Sequence, residues 1–129
     1  MNFVIVGTNF ISDTLLKAAL TVSEFTLYGV CSREVSTGEA FLAKHNQLHA
    51  KVFTDIKQVC DDKHVEAVYI AAPNSLHMNY AISCLEAKKH VLGEKPSAAN
   101  STELVQILTT AKQHQRLYME AMMTTHLPN

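Results

Sequence analysis

Glu94, Lys95 and Pro96 stand side by side in HVLGEKPSAAN (90–100), directly after a short apolar run and before what reads as a helix. In a core, two adjacent charges without good geometry rarely recover their desolvation. The polar end of this run therefore needs a setting other than a buried one. Three more stretches carry groups of chemical interest. In VGTNFIS (6–12) Gly7 can make a tight turn, after which the first amides of a helix can face a pyrophosphate. The glycine fingerprint is incomplete, because Asn9 and Ser12 stand where its second and third glycines would be, and a plain strand-to-helix turn is the competing reading.

CSRE (31–34) is the second stretch. A strand end that receives ribose hydroxyls normally carries an acid, whereas an arginine beside a hydroxyl suits a 2′-phosphate, so Ser32 and Arg33 favour NADP over NAD. Arg33 as a solvated loop charge paired with Glu34 is the alternative. In AAPNSLH (71–77) the small Ala71 and Ala72 allow a flat ring to approach the backbone, Pro73 fixes the turn, and Asn74 and His77 offer polar groups at a helix start. Here the alternative is a capped turn with a surface histidine. HNQLH (45–49) places two histidines on one helical face, but Asn46 replaces the glutamate of a zinc protease motif, and no metal site is expected.

The elements that must position these groups alternate along the chain. Apolar runs at 3–6, 25–31, 50–53, 66–72, 90–93 and 116–123 read as strands, and the segments 9–20, 35–46, 55–62, 74–89 and 101–114 as helices. Ser36 and Glu39 are spaced as a capping box, Asn74 and Asn100 are expected caps, and Leu104, Val105, Leu108 and Ala111 form the expected buried stripe of the last helix. Six strands alternating with five helices predict an α/β, doubly wound Rossmann fold: a six-stranded parallel sheet of order 3-2-1-4-5-6 with helices on both faces. Such a sheet binds ligands beyond the carboxyl ends of its strands, where all four stretches fall.

Composition narrows the partners. The 129 residues are 47% hydrophobic with a formal charge of -1, from 11 basic and 12 acidic side chains, so the chain builds no field for nucleic acid. MNFVIVG lacks a basic lead and no run is long enough for a membrane span. Three widely spaced cysteines, without a CxxC, fit reduced thiols and a cytoplasmic protein.

AAPNSLH followed, one helix later, by KHVLGEKP and then by YMEAMM resembles the nucleotide-binding domain of the Gfo/Idh/MocA oxidoreductases, over essentially the whole chain. The resemblance implies that Lys95 sits beside the nicotinamide as the catalytic residue, bonding the reacting hydroxyl or carbonyl and stabilising its oxyanion. It implies that Glu94 reaches the neighbouring ribose and that Pro96 sets the angle of Lys95. Gly7, Thr8, Asn9, Phe10 and Ile11 would line the pyrophosphate turn, and Ser32 and Arg33 would receive the 2′-phosphate. Ala72, Pro73, Asn74 and His77 would flank the nicotinamide half, with Glu120 and Ala121 near the ring. Family members continue into a second α/β domain that forms the substrate pocket. Residues 1–123 are thus expected to be the dinucleotide-binding domain and 124–129 the start of a connection to a second domain that this chain lacks. His126, in that connection, is not the acid–base residue of the second domain.

The expected function is that of a nucleotide-binding domain of an NADP(H)-dependent oxidoreductase, moving a hydride to or from a sugar, polyol or related hydroxy compound. The alternative is a non-catalytic nucleotide-binding or assembly module. Partners expected are the nicotinamide dinucleotide, a small substrate only when a second domain is supplied, and a further copy of the chain through apolar surface near strand six.

Overall fold

The computed structural model describes residues 1–71, 74–94 and 101–121. Its elements are β1 (Asn2–Val6), α1 (Phe10–Ala19), β2 (Thr26–Cys31), α2 (Val35–Lys44), β3 (Lys51–Phe53), α3 (Ile56–Asp61), β4 (Ala67–Ile70), α4 (Asn74–Glu86), β5 (His90–Glu94), α5 (Ser101–Gln113) and β6 (Tyr118–Ala121). The sheet order is β3-β2-β1-β4-β5-β6, and every neighbouring pair is parallel. The predicted Rossmann topology is therefore present, with β1 at its centre.

Side chains alternate across a strand, so each strand feeds two cores. Val4, Val6, Val68, Ile70 and Val91 pack with Val59 of α3, Ala81, Cys84 and Leu85 of α4, and Ile107 and Ala111 of α5. Phe3, Ile5, Leu27, Val30 and Tyr69 pack on the other side with Leu16 of α1 and Phe41 and Leu42 of α2. Burial on both faces is why the strands read as continuous apolar runs. At the opposite end from the ligand-facing rim, β1 and the chain leading into β4 are tied by Asn2 N–H to Glu66 Oε2 at 2.7 Å and by Glu66 N–H to the Asn2 carbonyl at 2.9 Å.

Two helix details differ from expectation. The stripe on α5 is turned: Ile107, Thr110 and Ala111 are buried, whereas Leu104, Val105 and Leu108 are exposed, Val105 by 60%. Thr110 joins the buried row because its Oγ1 donates to the Gln106 carbonyl at 2.8 Å, which satisfies the hydroxyl and leaves the methyl to pack. The capping box on α2 does not form: Glu34 occupies the N-cap without a side-chain bond, and Ser36 lies inside the helix. Asn74 is the first residue of α4, and Asn100 lies outside the described residues.

Helices α2, α4 and α5 end at Lys44, Glu86 and Gln113, before their sequence patterns do, and each is followed by a residue of positive φ: Asn46 (58°), Lys88 (65°) and Gln115 (55°). In each the following amide bonds back five residues: Gln47 to the Leu42 carbonyl, Lys89 to Cys84, and Arg116 to Ala111. These are left-handed caps made without glycine, so the usual stop signal is missing from the sequence.

Candidate functional site

The rim at the carboxyl ends of β1, β2 and β3 holds a cleft of ≈ 460 Å³ lined by Gly7, Thr8, Asn9, Ser32, Arg33 and residues of α2 and α4. Gly7 opens it with φ +104°, a conformation that side chains resist. A Cβ there would lie 2.8 Å from the Ala71 carbonyl oxygen, so only glycine fits between β1 and the end of β4. Its amide donates to the Cys31 carbonyl at 3.0 Å, which fastens the turn to β2.

Asn9 and Ser12, which break the glycine fingerprint, turn out to build this turn. Asn9 caps α1 by accepting the Ser12 amide on Oδ1 at 3.1 Å, and its Nδ2 donates to the Ala71 carbonyl at 3.0 Å. Ser12 is fully buried and its Oγ donates to the Gly7 carbonyl at 2.9 Å. Two side chains thus supply by bonding what two glycines supply by absence. Of the amides that open α1, that of Ser12 is taken by Asn9, whereas those of Phe10 and Ile11 have no carbonyl one helical turn earlier to bind, which leaves them for an anion. Thr8 lines the cleft, whereas Phe10 and Ile11 form the first turn of α1, Phe10 exposed and Ile11 packed on the core.

At the end of β2 the Ser32 amide donates to the Phe53 carbonyl at 2.9 Å and its Oγ to the Glu34 carbonyl at 2.6 Å. Arg33 is exposed on the cleft and, among the described residues, is in no ion pair, so pairing with Glu34 is not what holds it. Cys31 stays a neutral thiol, since burial and then the charge of Asp55 push its pKa up to about 11. Thr37, Thr54, Asp55, Leu76 and Tyr80 also line the cleft and were not among the expected residues. The end of β3 could have been read as part of this rim, because a doubly wound sheet brings all its strand ends there.

The ends of β5 and β6 form a second group. Glu94 closes β5, and its carboxylate accepts a hydrogen bond from the Tyr69 hydroxyl. Tyr69 pairs with Leu92 in the register, so Glu94 is two residues on and on the same face of the sheet. Burial, with Glu94 second, raises the pKa of the Tyr69 hydroxyl, which therefore remains a donor. His77 is 1% exposed, which corrects the reading of a surface histidine. Its position on the inner face of α4, over Gly93, explains the burial: a Cβ at Gly93 would lie 2.4 Å from His77 Nε2 and 2.7 Å from the Tyr118 hydroxyl. Neither ring nitrogen has a hydrogen-bond partner among the described residues. Desolvation lowers the imidazole pKa, against the charges of Glu120 and Glu94, and keeps the ring neutral.

Glu120 is exposed on β6, and Ala121 ends that strand. Ala72, Pro73, Lys95 and Pro96 lie outside the described residues. Among the described residues no group of acids, histidines and cysteines could hold a metal, and no helix is long and apolar enough to cross a membrane.

A parallel sheet of this order with a glycine turn feeding α1 defines a dinucleotide-binding domain. Residues 1–122 match the family model GFO_IDH_MocA, described as an oxidoreductase family with an NAD-binding Rossmann fold. The chain belongs to this family, as its nucleotide-binding domain. It is 42% identical over its whole length to the scyllo-inositol 2-dehydrogenase (NADP(+)) IolU of Bacillus subtilis, and spans 39% of that protein. An NAD-binding protein from Listeria innocua superposes with a TM-score of 0.83 and 33% identity, over 92% of this chain and 34% of that one. The 3-ketoreductase KijD10 from Actinomadura kijaniata, solved with NADP, shares the fold at a TM-score of 0.92 and 23% identity, over 100% of this chain and 39% of its own.

Proposed function

We propose that the chain binds NADP(H) in preference to NAD(H) and is the nucleotide half of an enzyme acting on a polyol or related hydroxy compound. One observation carries the cofactor reading: the Gly7–Asn9–Ser12 turn and the exposed Arg33, in no ion pair among the described residues, share one cleft. The fit is sound, because that cleft offers helix amides for a pyrophosphate and a guanidinium with a neighbouring hydroxyl for a 2′-phosphate. Gly7, Thr8, Asn9, Phe10 and Ile11 would hold the pyrophosphate, and Ser32 and Arg33 the adenosine phosphate. Ala72, Pro73, Asn74, Glu94, Pro96, Glu120 and Ala121 would border the nicotinamide half. His77 supports that border from within as a neutral, uncharged wall.

When bound, the nicotinamide would supply or accept the hydride. Lys95, which follows Glu94 in the chain, would place an ammonium against the oxygen of the reacting carbon and stabilise the charge that develops there. Glu94, held by Tyr69, would fix the ribose and hence the orientation of the ring. The polyol substrate class draws on the name of the Bacillus subtilis relative, of which this chain spans 39%. A second reading, nucleotide binding without turnover by this chain alone, rests on that share, since hydride transfer needs a held substrate as well as a cofactor.

Parallel calorimetric titrations with NADPH and NADH test the cofactor reading. NADPH should bind more tightly, and Arg33→Ala should weaken NADPH by about 10–100-fold, the worth of one charge-assisted phosphate contact, while sparing NADH. Equal affinities for the two, unaffected by Arg33→Ala, would overturn it.

A further inference from the structure

We infer that Cys60 and Cys84 form a dithiol site that a hydroperoxide oxidises to a disulfide joining α3 to α4. The two residues are 24 apart in sequence, and nothing in their spacing marks them as a pair. The fold brings their Sγ atoms to 4.0 Å. Cys60 is half-buried and can meet a small oxidant, whereas Cys84 is fully buried behind it. That is the arrangement of an attacking thiol with a sheltered resolving partner.

The surroundings favour Cys60 as the thiolate. Once ionised it accepts a hydrogen bond from the Cys84 thiol, and the Lys89 ammonium adds attraction; together these lower its pKa although burial opposes them. Lys89 is itself 4% exposed and anchored, its Nζ donating to the Asp62 carbonyl at 2.7 Å. The bond to Cys60 and burial raise the Cys84 pKa, so Cys84 keeps its proton until it reacts. Cys31 lies in the same core but its raised pKa keeps it a thiol.

The chemistry closes without a further reagent. The Cys60 thiolate attacks one oxygen of the hydroperoxide, an S–O bond forms, the O–O bond breaks, and the departing oxygen takes a proton as an alcohol or water. The Cys84 sulfur then attacks the sulfenic sulfur, the S–O bond breaks, and the hydroxyl leaves as water with the Cys84 proton. Two thiols and one hydroperoxide give a disulfide, one alcohol or water from the hydroperoxide, and one water. The sulfurs must close by about 2 Å to reach bonding distance, shared between two side chains and the six-residue α3. Asp55 at the start of α3 and Tyr80 of α4 both line the nucleotide cleft, so the bond would fix two of its walls together.

The test is to treat the folded chain with hydrogen peroxide, alkylate in denaturant and map the peptides. A Cys60–Cys84 peptide lacking two hydrogens, an alkylated Cys31 and reversal by dithiothreitol are expected. Cys60→Ser, at the half-exposed position, should abolish the link without threatening the core, and Cys84→Ala should leave Cys60 to accumulate as higher oxides. A wild-type chain in which Cys60 carries two or three oxygens while Cys84 remains alkylatable would overturn the inference. So would a link that involves Cys31 or a second chain, or thiols that all survive the peroxide.

Discussion

The turn after β1 and the end of β5 face the same rim but are built on opposite principles. At the first, two polar side chains bond the backbone around them: Asn9 to Ser12 and Ala71, Ser12 to Gly7. At the second, a buried imidazole lies against Gly93 with neither nitrogen bonded among the described residues. A satisfied network stabilises the fold where it stands, whereas an unsatisfied polar group detracts from stability and is kept for another reason. The first region should thus be fragile to deletion and the His77 position of the second tolerant of it.

Gly7→Ala should break the comparison most severely. It places a methyl 2.8 Å from a backbone oxygen at φ +104°, and we expect a loss of about 3 kcal/mol in denaturant unfolding together with nucleotide binding. Asn9→Ala removes the cap of α1 and the tie to Ala71, and should cost about 1–2 kcal/mol. A loss no greater than that of an exposed alanine replacement would show that the network is ornamental.

His77→Leu sharpens the contrast from the other side. Replacing a buried group that makes no bond among the described residues with an apolar one of similar size should leave stability at neutral pH unchanged or raise it by about 1 kcal/mol. The pH dependence has a definite sign. Folding lowers the His77 pKa below 6.5, so the unfolded chain takes up the proton more readily and stability falls as pH drops below that value. Thermal unfolding measured from pH 8 to 5 should show a shallower acid decline for the leucine variant than for the parent; parallel declines would mean that His77 titrates normally in the folded state.

The sheet order was legible because each strand was an unbroken apolar run and each crossover a helix, which leaves few topologies open. Gly7, Ser32, Arg33 and Glu94 were legible because rim positions follow directly from strand ends. Tyr69 was not, since its role depends on the β4–β5 register, and it reads as one more core aromatic in AVYI. His77 was recognised for its polarity but not for its burial, which only the glycine beneath it allows. The α5 face was misassigned because Thr110 hides its polarity in a bond to its own helix. The helix ends ran long because Asn46, Lys88 and Gln115 do in left-handed conformation what glycine would announce.

Asn9 reaches across 62 residues to the Ala71 carbonyl, and Asn2 is tied to Glu66 at the other end of the same seam. Because β1 is central, a growing chain can assemble β1, β2 and β3 as they leave the ribosome, yet one edge of β1 stays open until β4 emerges. The turn after β1 takes its final shape only when that edge closes. The first half can therefore form a sheet before the rim cleft is complete, because its turn waits for a strand from the second half to dock.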